Sequence, residues 1–149
     1  MLPEGYRLRR GYEKEKELLV KFMCRTYQEV VNKQEDFSHL ANTVETYFNK
    51  DTPLWWVELE GKEIACIWMG NAIEQVKGDR YTYIFLLYVD KQHRGKGIGT
   101  SLLLHGENWA KNRGDRQIGL MVFSCNKSAV NLYQTLGYET QSLLMLKKI

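Results

Sequence analysis

The chain has 149 residues, 44% of them hydrophobic and 26% charged, with 21 Lys and Arg against 18 Asp and Glu for a net charge of +3. This length suits a single domain, residues 1–149, whose core needs neither disulfides nor a structural metal. The mild charge argues against nucleic acid as a partner, because such binders crowd Lys and Arg onto one face; Arg7 to Arg10 and Lys147-Lys148 read as solvated edges.

Tyr6 to Arg9 alternates and is read as a first strand. Between Lys14 and Val31, Leu19, Phe22, Met23, Tyr27 and Val30 recur at helical spacing with charges between them, which predicts an amphipathic helix. A second helix runs from Ser38, its N-cap, to Phe48, with Leu40, Val44, Tyr47 and Phe48 on the apolar side; Asp51-Thr52-Pro53 ends it. Trp55 to Leu59 and Ile64 to Trp68 alternate around Gly61 and predict a β-hairpin. After a polar turn from Gln75 to Arg80, Tyr81 to Val89 is nearly continuous in β-formers, the pattern of a central strand covered on both faces. A helix then opens from a glycine-rich run and reaches about Asn112, with Gly99, Leu102, Leu103, Gly106 and Ala110 toward one side so that it can pack closely on a sheet. Ile118, Leu120 and Val122 alternate in a strand ending near Ser124. Asn126 caps a helix with Ala129, Leu132, Tyr133 and Leu136 on one face, and Gly137 ends it. A last strand or hairpin is expected from Tyr138 and Leu143 to Leu146. The order implies right-handed strand–helix–strand crossovers in the second half and an antiparallel hairpin before them, hence an α/β (α+β) fold with a mixed sheet.

Val89 to Thr100 carries the first chemical signal: a buried strand enters the loop Arg94-Gly95-Lys96-Gly97-Ile98-Gly99, and a helix opens from it. The first amides of a helix have no partner inside it, and the helix dipole adds partial positive charge, so such an end binds phosphate. Glycines at 95, 97 and 99 remove side chains that would hold a pyrophosphate away, and Arg94 and Lys96 add cationic character. A dinucleotide fingerprint would need glycine where Leu102 stands, and a nucleotide P-loop would need Lys96 to follow Gly97 directly. Both fail on spacing, which leaves a phosphate cradle of another kind or a tight structural turn.

The second signal is Asn126-Lys127-Ser128-Ala129-Val130-Asn131-Leu132-Tyr133-Gln134-Thr135-Leu136-Gly137-Tyr138. With the glycine loop it resembles the GNAT superfamily, the Gcn5-related N-acetyltransferases. Arg94, Gly97 and Gly99 match that family's (Arg or Gln)-x-x-Gly-x-(Gly or Ala) motif, and Asn126, Ala129, Leu132, Tyr133, Gly137 and Tyr138 match its later one. The resemblance runs from about Tyr81 to Tyr138. It implies a GNAT fold, a mixed central sheet flanked by about four helices, that transfers an acetyl group from acetyl-CoA directly to a primary amine of a small molecule or protein. Acetyl-CoA is then a co-substrate and no metal is needed.

By position, the resemblance gives the backbone of Leu87, Tyr88 and Val89 to the pantetheine arm. It gives the amides of Arg94, Gly95, Lys96, Gly97, Ile98, Gly99 and Thr100 to the pyrophosphate, and Asn126 to the cofactor arm or the helix start. Tyr133 would protonate the leaving thiolate, and backbone donors at the strand end would stabilise the oxyanion. Many members use a central-strand Glu as base, but Tyr81, Thr82 and Tyr83 occupy that stretch here. Glu74, Asp79, Glu35, Asp36 and His39 are the remaining candidates, or an ordered water chain. The acceptor pocket would draw on Tyr27, Phe37, Trp55, Trp68, Tyr81 and Tyr83. The missing Glu keeps open a second reading, a non-enzymatic acetyl-CoA-binding or sensing module, and a third has the loop as mere architecture.

Cys24, Cys66 and Cys125 form no CxxC pair and point to a reducing compartment; Cys125 has no His partner that would make it a nucleophile. His39, His93 and His105 lack ligand spacing, His93 reading as an exposed loop residue and His105 as a packing or solvent-facing one. Glu4 and Arg7 interrupt any signal peptide, and no apolar run is long enough for a bilayer, so a cytoplasmic protein without membrane contact is expected. Homodimerisation is compatible with the sequence, which carries no strong interface signal.

Overall fold

The computed structural model describes residues 1–31 and 36–149. Five strands form one sheet in the order β1-β2-β3-β4-β5: β1 Tyr6–Arg10, β2 Leu54–Leu59, β3 Lys62–Ile73, β4 Arg80–Val89 and β5 Ile118–Leu120. The first three pairings are antiparallel and β4·β5 is parallel. Helices α1 Lys16–Val30 and α2 His39–Tyr47 cover one face, and α3 Ile98–Asn112 and α4 Lys127–Thr135 the other. A 3-10 turn at Glu13–Glu15 leads into α1, and another at Lys91–His93 precedes the glycine loop. No helix of the described residues is long and apolar enough to cross a membrane.

Because strand side chains alternate, a sheet covered on both faces buries two cores. Trp56, Cys66, Trp68, Leu86 and Tyr88 meet Leu19, Phe22 and Met23 of α1 and Leu40 and Val44 of α2. Val57, Ala65, Ile67, Met69 and Ile84 meet Ile98, Leu102 and Leu103 of α3. Burial is complete across Leu54 to Val57, so the alternation expected for β2 is one of direction and not of exposure. The small face of α3 does let it close on the sheet: a Cβ on Gly106 would lie 2.8 Å from Met69 Sδ and 3.3 Å from Ile67 Cδ1.

The ends of two elements depart from expectation. β5 stops at Leu120 instead of running to Ser124, and Met121, Val122 and Phe123 are exposed. The final strand does not form; Leu143, Leu144, Met145 and Leu146 are apolar, yet none of the described residues pairs with them. Ser38 sits at the N-cap of α2 but makes no side-chain capping bond.

Candidate functional site

The site begins where β4 and β5 part. They pair only at Thr82·Ile118, Tyr83·Gly119 and Ile84·Leu120, so from Phe85 to Val89 the β5-facing edge of β4 has no strand beside it. A register shift in the β3·β4 ladder falls at Trp68/Met69, opposite the same point. Leu87, Tyr88 and Val89 thus lie on an open backbone edge, the position expected to receive an extended polar chain.

Directly beyond it lies the glycine loop. Gly95 (φ 77°) and Gly97 (φ 80°) adopt the left-handed conformation that side chains resist, and a Cβ on either would meet nothing within 4 Å. Gly97 caps α3 without a side-chain bond, and the first amide of this turn with an acceptor is Ser101, bonded to the Gly97 carbonyl at 3.0 Å. Among the described residues, no acceptor takes an amide from Gly95 through Thr100. Unpaired backbone donors are costly unless water or a ligand satisfies them. A run of such donors, at the positive end of a helix and facing open space, is able to accept an anion.

The two cations of the loop are held to its sides. Arg94 donates from Nε to the Val89 carbonyl at 2.7 Å and from Nη2 to Glu29 Oε2 at 2.7 Å, and its guanidinium lies 5.4 Å from the Tyr88 ring. The Tyr88 hydroxyl donates to Glu29 Oε1 at 3.0 Å. Burial and this carboxylate push the Tyr88 phenol up to about 12. Lys96 Nζ donates to the Tyr6 hydroxyl at 3.2 Å, which in turn lies 2.8 Å from His93 Nδ1. With the lysine donating, the phenol proton points to Nδ1, so the half-buried His93 is part of a bracket from β1 to the loop, not a free loop residue.

Neither Glu29 nor Tyr6 was singled out from sequence. Glu29 looks like any charged residue on the polar side of α1, and only the fold carries it 65 residues along the chain to Arg94.

The α4 helix closes the other side. A Cβ on Gly99 would lie 3.5 Å from Leu132 Cδ2 and 3.9 Å from Val89 Cγ2, so α4, the start of α3 and the end of β4 meet there. Tyr133, next to Leu132, packs edge-on against Tyr138 with centroids 5.8 Å apart. Its hydroxyl bonds to no described residue and is not sealed from solvent. Burial pushes its phenol up to about 12, so it carries its proton at any physiological pH. Asn126 occupies the N-cap position of α4 without a side-chain capping bond, which leaves its amide free for another partner.

The proposed bases are not gathered here. Glu74 accepts from the amides of Val76 and Lys77 in its own turn, and Asp36 from the Ser38 amide. Asp79 and His39 are exposed, and Glu35 lies outside the described residues. Of the acceptor-pocket aromatics, Trp55 faces α3 against His105, 4.5 Å between centroids, and Trp68 is fully buried, so neither lines an opening. Tyr27 remains on the α1 face with Phe37 at 6.1 Å and Phe123 at 6.0 Å, near the half-buried Tyr83. Of the two readings open for His105, packing or solvent, the structure shows packing against Trp55, its basicity lowered by burial and by Arg10. Cys125 is exposed, with Sγ 3.8 Å from the Val30 carbonyl and no histidine bonded to it.

A cavity of about 410 Å³ lies elsewhere, between Arg10, Lys50, Trp109 and Arg113, at the far end of α3. Two of its cations, Arg80 and Arg113, are already bonded to Asp115.

Comparison with known proteins agrees with this geometry. The family model described as "Acetyltransferase (GNAT) family" matches residues 17–138. An uncharacterised N-acetyltransferase of Methanocaldococcus jannaschii is 32% identical over 102 residues, 62% of this chain and 43% of its own length. The chain spans about half the length of the curated relatives it matches. Among solved structures, a Pyrococcus furiosus protein described as an acetyl transferase superposes with a TM-score of 0.81 at 27% identity, over 97% of this chain and 99% of that one. A Clostridium acetobutylicum protein solved with acetyl-CoA superposes at 0.79 and 23% identity, over 95% of this chain and 96% of that one, which speaks for the fold.

Proposed function

The chain belongs to the acetyltransferase (GNAT) family, and from that premise we propose that it is an acetyl-CoA-dependent N-acetyltransferase working by direct transfer to a primary amine. The observation that carries this is the unpaired amide run from Gly95 to Thr100, set against the open edge of β4. The residues fit the cofactor: the amides would take the pyrophosphate, the backbone of Leu87 to Val89 the pantetheine amides, and the Asn126 side chain the arm between them. Bound acetyl-CoA supplies an activated acetyl thioester that a neutral amine can attack, with loss of the thiolate.

The chain's own part is to orient, to exclude water and to move protons. Aligning two bound reactants in one cleft removes much of the entropic barrier. The Tyr133 hydroxyl, protonated and without a partner among the described residues, donates its proton to the sulfur. A phenol with a pKa near 12 is a weaker acid than a thiol of about 8.5, so transfer to the thiolate runs uphill unless the phenolate is re-protonated, and the proton lost by the attacking amine can serve for that. Glu29 is engaged by the Tyr88 hydroxyl and the Arg94 guanidinium, which holds Arg94 to the side of the loop.

The lack of a free described carboxylate beside the β4 opening supports a second reading, an acetyl-CoA-binding module without turnover. Calorimetry with acetyl-CoA, followed by thiol release with a panel of primary amines, separates the two. Micromolar binding with amine-dependent thiol release is the expected result. Binding without release from any amine would favour the sensing module, and no binding by folded, cofactor-free protein would reduce the loop to architecture.

A further inference from the structure

Arg10 ends β1 directly opposite Trp55 of β2. Cross-strand neighbours share a face, and the Arg10 guanidinium lies over the Trp55 ring, 4.8 Å from its centroid. Trp55 meets Trp109 of α3 edge-on at 6.2 Å, and Arg113, one helical turn further on, lies 4.3 Å from the Trp109 centroid. Stacking uses the flat face of a guanidinium and leaves its N–H edge to other partners. Arg113 spends that edge on Asp115 and Thr82. The Arg10 guanidinium pairs with no carboxylate among the described residues.

Lys50 is in the same position. It sits in the turn between α2 and β2, where Asn49 Oδ1 accepts from the Asp51 amide at 2.8 Å and the Thr52 hydroxyl donates to the Tyr47 carbonyl at 2.7 Å. The turn is fixed by its own side chains, while Lys50 is exposed and has no carboxylate partner among the described residues. Arg10 and Lys50 both border the cavity of about 410 Å³, with Asn71, Arg80, Trp109 and Arg113 around them. That volume falls within the range of small-molecule sites. Its four cations stand against Asp51 in the lining and Asp115 behind two of them, which leaves positive charge in excess. The carbonyl end of α3 accounts for Arg113, and Asp115 accounts for Arg80. Neither accounts for Arg10 or Lys50, which two other parts of the chain bring to the same hollow. Like charges gathered on a concave wall raise the local potential and draw an anion.

We propose that this cavity binds a small phosphorylated molecule through its dianionic phosphoryl group, with Arg10 and Lys50 as its principal cations and the Asn71 side chain as a further donor. A dianion matches the excess charge, and phosphoryl oxygens take charge-assisted bonds from several directions at once. Trp109 and Pro53 give the rest of the molecule an apolar wall. The 15 residues of α3 put this cavity roughly 20 Å from the glycine loop, so the two sites are separate. A ligand here joins β1, the α2–β2 turn, β3 and α3, and so stabilises the fold by linkage.

Titration of isotope-labelled protein with phenyl phosphate, followed by NMR at about pH 7.5 where a phosphate monoester is close to doubly charged, tests this. The Trp109 indole N–H and the amides of Arg10 and Lys50 report on the cavity; amides 95–100 report on the loop. The cavity signals should saturate with a Kd below about 1 mM in about 0.15 M salt. Arg10→Gln and Lys50→Gln should each weaken this at least about tenfold and leave the response of amides 95–100 unchanged. The rise in melting temperature with the probe should shrink in both variants. Inorganic phosphate should bind more weakly, since it leaves the Trp109 wall uncovered; equal affinity would overturn the organic ligand. Equal binding of malonate would overturn the phosphoryl group. Cavity signals that do not saturate by about 10 mM, or a Kd that ignores both substitutions, would overturn the site itself.

Discussion

The two ends of α3 are built on opposite rules. Its C-terminal end is closed: Arg113 caps it, Gly114 turns the chain at φ 89°, and Asp115 accepts from Arg80, Arg113 and the Thr82 hydroxyl at 3.0, 2.8 and 2.6 Å. The Asp115 side chain is 2% exposed, and its charge is matched in place. At the N-terminal end, the donors from Gly95 to Thr100 have no acceptor, and the nearby cations are tied off to Glu29 and Tyr6. The proposed cofactor site uses the open end, where donors remain to be satisfied. The contrast predicts that substitutions at the open end cost binding and those at the closed end cost stability, with little crossover.

The largest effect should come from Gly97→Glu. A side chain is forced onto a left-handed residue, and a carboxylate is placed among the anion-binding amides. Acetyl-CoA affinity should fall at least about 100-fold, a few kcal/mol of lost charge-assisted bonding. Gly97→Ala meets nothing within 4 Å and carries only the backbone strain, so it should cost about tenfold or less. Equal losses from the two would mean the loop acts by shape and not by binding an anion.

Asp115→Asn probes the closed end. Removing the charge takes the shared partner from Arg113 and from the half-exposed Arg80, and stability should drop by about 1–2 kcal/mol in urea melts. Acetyl-CoA affinity should be unchanged. Burial alone would raise the Asp115 carboxyl, but its bonds to Thr82, Arg113 and Arg80 outweigh it and hold the group below the ordinary carboxylate range. Its stabilisation is therefore complete above the unfolded carboxylate value near 4 and is lost as pH falls through the lower folded value, while the variant's stability stays flatter over that acid window.

Tyr133→Phe separates binding from turnover. The ring still packs on Tyr138, so affinity should hold, while thiol release slows at least about tenfold. Because the phenol sits near 12, the wild-type rate should show no alkaline fall owed to Tyr133 below about pH 10. A fall near pH 8 to 9 that vanishes in the variant would mean the residue titrates far lower and acts otherwise.

The open end was legible in sequence because its chemistry is local. Glycine spacing, the strand before it and the helix after it all lie within Val89 to Thr100, and α4 followed from the spacing of Ala129, Leu132, Tyr133 and Leu136. The closed end and the Glu29 bracket were not legible, since their partners meet only across the fold: Arg80 with Asp115, Glu29 with Arg94. The expected last strand failed for a related reason. Periodicity marks Leu143 to Leu146 as strand-forming, but a strand also needs a neighbour, and the sequence cannot say whether that neighbour lies in the same chain. The aromatics named for the acceptor pocket divided along the same line, since alternation in β2 and β3 could not say which face α3 would cover.

The smallest prediction sharpens the comparison most, because it reverses sign. At the closed end, neutralising a carboxylate can only do harm. At the open end, Glu29 draws Arg94 aside at 2.7 Å, with the two side chains 24% and 43% exposed. Glu29→Gln keeps an acceptor for the Tyr88 hydroxyl but drops the charge that holds Arg94 away from the cradle. Exposed pairs of this kind are worth about 0.5 kcal/mol, so acetyl-CoA affinity should rise about twofold at low salt and the gain should fade as salt is added. Arg94→Gln should shift affinity down by about the same factor, and the double variant should match Arg94→Gln alone. If Glu29→Gln instead weakens binding, the bracket positions the loop through the Tyr88 contact, and the cations at the open end would have to be read as structural, as they are at the closed one.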